Sequence, residues 1–145
     1  MGNLNKRVLK NRLAWIKKWL QELEGLPLDN KDVFMANKRF VQMADLALRR
    51  SAEALVELGA YILKEAFDTP VTKFQEIPKA LVLRKVMLEP EAQLLEKVIQ
   101  YCEQIEQGVL PSPEEVYQTC KDKLVYFSNL YLAYEQWANS FLAEE

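Results

Sequence analysis

The chain of 145 residues contains no histidine at all. That absence removes the Ser-His-Asp and Cys-His dyads, any imidazole-ligated zinc and any histidine general base. Glycine (4) and proline (6) are scarce, which leaves too little turn chemistry for a sandwich or barrel of many short strands. The glycines lie too far apart for a GxGxxG or P-loop phosphate cradle. Apolar runs are only a handful of residues long, so nothing in the sequence is expected to span a bilayer. The basic N-terminus lacks the apolar stretch and cleavage site of a secretion signal, and a cytoplasmic setting is expected. The two cysteines, Cys102 and Cys120, match no metal spacing and are expected to stay reduced. No cofactor is expected.

What is present is the composition of one folded domain: 50% hydrophobic and 28% charged residues, in a chain long enough to bury roughly 68–70% of its unfolded surface. Net charge is −2, too small for a global field that draws nucleic acid or acidic lipid. The charges are unevenly placed. Lys6, Arg7, Lys10, Arg12, Lys17 and Lys18 precede the first acid, Glu22. Their alternation with apolar positions makes them the solvated face of an amphipathic helix; the functional alternative is a patch for RNA, an acidic partner or a nucleotide.

Helical periodicity dominates. Leu9, Leu13, Ile16, Leu20 and Leu23 make one stripe of a helix over 4–24, widened by Val8, Trp15 and Trp19 and stopped by Gly25 and Pro27. Asp29, Asn30 and Asp32 offer caps for one long helix to about Ala66. Its stripe runs Val41, Ala44, Leu48, Ala52, Leu55, Gly59, Ile62 and Ala66, and its small members allow another helix to come close. Asp68-Thr69-Pro70 is a break, with Thr69 or Thr72 as cap and Pro70 in the first turn of a shorter helix ending near Leu83, in which Pro78 is confined to the early part or makes a kink. Another helix starts at Glu89-Pro90-Glu91 and runs to Gly108. Ser112-Pro113-Glu114-Glu115 is a capping box that opens a last helix reaching almost to the C-terminus. The expected fold is all-α: one domain over 1–145, an antiparallel bundle of four main helices plus one short helix.

Few constellations could carry chemistry. Glu53, Glu57 and Glu65 could be offered as an all-carboxylate metal site, but their spacing is that of a wet helix face. The tyrosines and other aromatics of the last helix have no interleaved cations after Lys121 and Lys123, which favours core and dimer packing over base stacking. Adjacent Arg49 and Arg50, with Glu53, could hold a phosphate as a candidate ligand site, or serve a ribonuclease built on non-standard residues.

The order of these features resembles a known family. A first helix is followed by "ALRRSAEALVELGAYILKEAF", then "TPVTKFQEIPKAL", a hydrophobic helix and "SPEEVYQTCKDKLVYFSNLYLAYEQW". Across roughly residues 5–138 this is similar to the HepT-like proteins, small HEPN-type helical proteins found beside minimal nucleotidyltransferases. The resemblance implies a dimerising helical bundle with a nucleotidyltransferase as partner. It further implies a relation to ribonuclease toxins, whose signature is an Arg, a His four to six residues later and a Tyr two further on. In "LLEKVIQYCEQIEQGVLPSP", Cys102 falls at the Arg position, Gln107 at the His and Val109 at the Tyr. Gln107 cannot titrate, Val109 is inert, and Cys102 is a poor base without a basic neighbour. No catalytic residue carries over. The sequence therefore points to a non-catalytic homodimer that is a partner or regulator of a nucleotidyltransferase, or that binds nucleotide or RNA without cleaving it. A helical scaffold with no nucleotidyltransferase link is the remaining alternative.

Overall fold

A computed structural model describes residues 4–108 and 110–144. The described residues form six α-helices and no strand: α1 (Lys6–Glu24), α2 (Lys31–Ala36), α3 (Lys38–Phe67), α4 (Ile77–Leu83), α5 (Glu89–Glu106) and α6 (Pro113–Ala143), with a single 3-10 turn at Phe74–Glu76 before α4. The four long helices are an antiparallel bundle in which α3 packs against α1, α5 and α6.

Side-chain caps set the boundaries. The Asn5 carboxamide oxygen accepts the N–H groups of Arg7 and Val8 at 2.9 and 3.1 Å, so α1 starts after it. The Ser112 capping box forms as expected: Glu115 N–H donates to Ser112 Oγ at 3.2 Å, and Ser112 N–H donates back to the Glu115 carboxylate at 3.0 Å. The Ser112 backbone N–H, and after it the Ser112 side chain, hold the exposed Glu115 carboxyl below its ordinary range.

The expected single helix from residue 29 to 66 is in fact two. Asn37 adopts extended backbone (φ −118°, ψ 109°), ends α2 and caps α3 by accepting Arg39 N–H at 2.9 Å. Its side chain competes with the helical pattern as asparagine commonly does, and it lies inside a run that periodicity alone reads as continuous. The interruption lets α2 turn Phe34 fully inward, where it meets the Tyr117 ring at 5.2 Å. Tyr117 also donates to the Leu28 carbonyl at 2.7 Å and so fastens the α1–α2 loop to α6. Asn37→Ala is expected to lower stability by about 1 kcal/mol, read as an earlier urea midpoint with unchanged m-value.

The cap expected at Thr69 or Thr72 is also corrected. Residues 68–73 are loop, and α4 begins at Ile77 with Pro78, not Pro70, in its first turn. Helix α5 ends at Glu106, just short of Gly108, whose φ of 76° leaves the helical region.

The core is the predicted stripes meeting one another. Leu9, Ile16 and Leu23 of α1, Leu48, Leu55 and Ile62 of α3, Leu95 of α5 and Phe127 and Tyr134 of α6 are fully buried. Trp15 departs from expectation: it does not widen the apolar face but stands 47% exposed. Cys120 is buried and Cys102 is half-buried, both as free thiols.

Candidate functional site

Helix α3 and the C-terminal half of α5 flank a valley on the surface of the bundle. The larger part of this valley is an open groove of ≈ 730 Å³ lined by α3 residues from Gln42 to Glu57, by Phe74, by Cys102, Ile105 and Glu106 of α5, and by Leu110. The Gln75 carboxamide donates to Glu103 at 3.0 Å and so ties the 3-10 turn carrying Phe74 to α5.

The groove gathers the residues singled out in the sequence from segments about 50 residues apart. Arg49, Arg50, Glu53 and Cys102 all line it. Gln107 does not; it lines an adjoining pocket of ≈ 290 Å³ that shares Asp45, Arg49 and Ile105 with the groove. Val109 lies outside the described residues.

The arginine pair is engaged within its own helix. Arg49 Nε lies 3.2 Å from both carboxylate oxygens of Asp45, and Arg50 Nη1 lies 3.3 Å from Glu53 Oε1. Around them Asp45, Glu53, Glu57 and Glu106 outnumber the two arginines. A phosphate placed there meets more negative charge than positive, so the expected phosphate-holding role for Arg49, Arg50 and Glu53 finds little electrostatic support. The acids Asp45 and Glu106 were not singled out from the sequence. Asp45 could have been, since it stands four residues before Arg49; Glu106 needed the α5 packing.

Chemistry near neutral pH is also restrained. Burial, followed by the carboxylates of Glu53, Glu106, Glu57 and Glu103, pushes the Cys102 thiol up to about 12. Cys120, buried on α6, is pushed up to about 12 by burial and then by Asp45. Both sulfurs are thiols at pH 7, neither nucleophilic nor basic. Glu53, Glu57 and Glu65 do not converge: among the described residues no three acidic or thiol side chains are placed to hold a metal ion. Among the same residues no helix is long and apolar enough to cross a membrane.

The groove's other character is apolar. Leu46 is 39%, Phe74 46% and Leu110 82% exposed along its edges, a cluster of large apolar side chains of the kind that marks protein contact surfaces.

One tyrosine of the last helix has cations beside it, one of them supplied by another helix: Lys97 of α5 stands 4.9 Å over the Tyr126 ring, and Lys123 lies 5.9 Å from that ring and 5.8 Å from Tyr101 of α5.

No family model matches the sequence, and no curated protein does either. Solved structures do match. The Bacillus subtilis cytosolic protein YutE superimposes with a TM-score of 0.79 at 15% identity, over 98% of this chain and 96% of that one. A tri-AMPylated HEPN toxin from Shewanella oneidensis, solved in complex with an MNT antitoxin, superimposes with a TM-score of 0.73 at 14% identity, over 92% of this chain and 99% of that one. With nearly the whole of each chain aligned at so low an identity, what is shared is the backbone arrangement: this chain has the HEPN-type helical fold.

Proposed function

We propose that this chain is a non-catalytic HEPN-fold protein that works by binding, as a homodimer and as the partner or regulator of a nucleotidyltransferase. The observation carrying this reading is a fold shared with a HEPN toxin in complex with an MNT antitoxin, borne by a chain that has no histidine.

The chemistry of the groove supports the negative half. Cleaving RNA by attack of its own 2′-hydroxyl needs a group that takes a proton near pH 7 and a cation that stabilises the phosphorane. At the positions matched to the family signature, Cys102 is held as a thiol and Gln107 cannot accept a proton. The nearby arginines are drawn onto Asp45 and Glu53. The apolar edges Leu46, Phe74 and Leu110 support the positive half, because they give a protein partner surface to cover.

The test uses one purified sample. Its mass by light scattering is expected to be twice 16.9 kDa. Incubation with RNA is expected to leave the RNA intact. A co-expressed minimal nucleotidyltransferase is expected to co-purify with the wild type, and less of it with Phe74→Glu, which puts a charge on the groove's edge. A monomer that captures no nucleotidyltransferase overturns the positive half. Cleavage that survives chelation, and is lost in the Arg49→Ala, Arg50→Ala double variant, overturns the negative half.

A further inference from the structure

Lys97, Gln100, Tyr101 and Gln104 recur at i, i+3, i+4 and i+7, which sets them on one face of α5. Lys123 and Tyr126 stand three residues apart on α6 and share a face for the same reason. The packing of α5 against α6 brings these rows together, and with Asp122 they line a polar depression of ≈ 390 Å³. It shares no residue with the Cys102 groove. Through Tyr101, Gln104 and Lys123 it runs on into the pocket lined by Gln107, so the seam follows α5 for about 15 Å.

The seam holds positive charge without a counterion. Lys97 Nζ lies 4.9 Å from the centre of the Tyr126 ring, and Lys123 Nζ lies 5.9 Å from it and 5.8 Å from that of Tyr101. Among the described residues neither ammonium has an ion-pair partner, whereas both arginines of the groove do. Asp122, the single acid lining the depression, already accepts the Gln118 carboxamide at 2.9 Å. Lys123 is half-buried, so it gives up hydration and receives only ring faces in return.

We propose that this seam docks an acidic helix of a partner protein, whose carboxylates, one turn apart, take the ammonium groups of Lys97 and Lys123. Carboxylates at i and i+4 have Cβ atoms about 5–6 Å apart, a span suited to two ammoniums gathered on one ring. The furrow between two packed helices receives the ridge of a third. Gln100 and Gln104 offer donors and acceptors alike, which the mixed side chains of a helix can answer. A phosphodiester chain answers less well: its backbone brings only acceptors, Asp122 repels a chain charged at every residue, and Lys97 already lies over the Tyr126 ring. A second copy is opposed by symmetry, since an isologous contact sets a patch against itself and would bring lysines against lysines. No large apolar side chain stands exposed in the depression, so a bilayer finds nothing there to bury.

The experiment is fluorescence anisotropy with the full chain and a fluorescein-labelled alanine-based helical peptide carrying glutamates at i and i+4. Submillimolar binding is expected at low salt, weakening several-fold in about 0.5 M salt, where screening acts within about 4 Å. The same peptide with glutamine for glutamate is expected to bind at least tenfold more weakly. Lys97→Glu with Lys123→Glu is expected to lose at least tenfold in affinity, with circular dichroism checking that the variant is folded. Lys10→Glu with Lys79→Glu, two exposed lysines outside the seam, makes the same change in net charge and is expected to leave binding unchanged. Absence of binding, equal affinity for the glutamine peptide, or unchanged affinity in the Lys97, Lys123 variant overturns the proposal. So does displacement of the peptide by an oligouridine at lower concentration, which would assign the seam to a phosphodiester. A wild-type dimer that becomes a monomer in the Lys97, Lys123 variant, read by light scattering, overturns it too and assigns the seam to a second copy. The proposal does not rest on the nucleotidyltransferase reading: a chain that captures no nucleotidyltransferase but binds the glutamate peptide through these lysines removes that reading and supports this one.

Discussion

Tyr134→Ala is expected to remove about 4 kcal/mol of stability, and Tyr134→Phe only about 1. Tyr134 is fully buried near the middle of α6, and its hydroxyl donates to the Leu55 carbonyl of α3 at 2.8 Å. Alanine deletes the whole ring and leaves a cavity between α3 and α6 in a core that close packing keeps from collapsing. Phenylalanine keeps the ring and loses one hydrogen bond, while the Leu55 carbonyl retains its partner within the α3 ladder. A domain of this size has about 5–15 kcal/mol to lose, so the alanine variant should unfold at a far lower urea concentration. Urea unfolding followed by far-ultraviolet circular dichroism separates the two. Equal losses for both variants would mean that the hydroxyl, not ring packing, anchors α6 to α3.

Gly59→Ala is expected to destabilise by about 2 kcal/mol, although alanine is the better helix former. In an exposed helix the exchange gains about 1 kcal/mol. Here a Cβ would stand 2.8 Å from Ile77 Cγ2, 2.8 Å from the Tyr134 hydroxyl oxygen and 3.1 Å from Leu81 Cδ1. None of these can retreat freely: Ile77 and Leu81 are fully buried on α4, and the Tyr134 oxygen is fixed by its bond to Leu55. Overpacking of this kind costs about 1–3 kcal/mol, and losing the buried hydrogen bond adds about 1 more. Because the same oxygen is one of the obstacles, Tyr134→Phe should partly rescue Gly59→Ala, and the double variant should lose less than the sum of the two. A stabilised Gly59→Ala would show that α4 is free to move away from α3.

These two positions show how far the sequence reaches. That Gly59 shares a stripe with Ala44 and Ala52, and so admits a close neighbour, follows from helical spacing. That the neighbours are α4 and the Tyr134 hydroxyl does not. The groove divides in the same way. Arg50 and Glu53 are three residues apart and their ion pair is local geometry; Cys102 joins them only because α5 packs on α3. Electrostatics was hardest to foresee. The Arg49–Arg50 pair looks anionophilic in sequence, yet four carboxylates drawn from two helices outweigh it, and charge summed over a surface has no counterpart in linear spacing.

What the sequence determined by itself was everything governed by interactions within a few residues or by composition. The 3.6-residue apolar stripes specified four long helices, the Ser112 box specified the start of α6, and a chain without histidine excluded imidazole chemistry wherever the residues came to lie. Tertiary structure decided what depends on contacts between distant segments or on competition between nearly equal local choices. It broke the second helix at Asn37, where a side-chain cap and the inward turn of Phe34 outweigh continued periodicity. It left Trp15 in water, because the width of a buried stripe is set by how closely the neighbouring helices approach. It brought Lys97 over Tyr126 and Arg12 over Tyr61, pairings between helices that no spacing within one helix encodes.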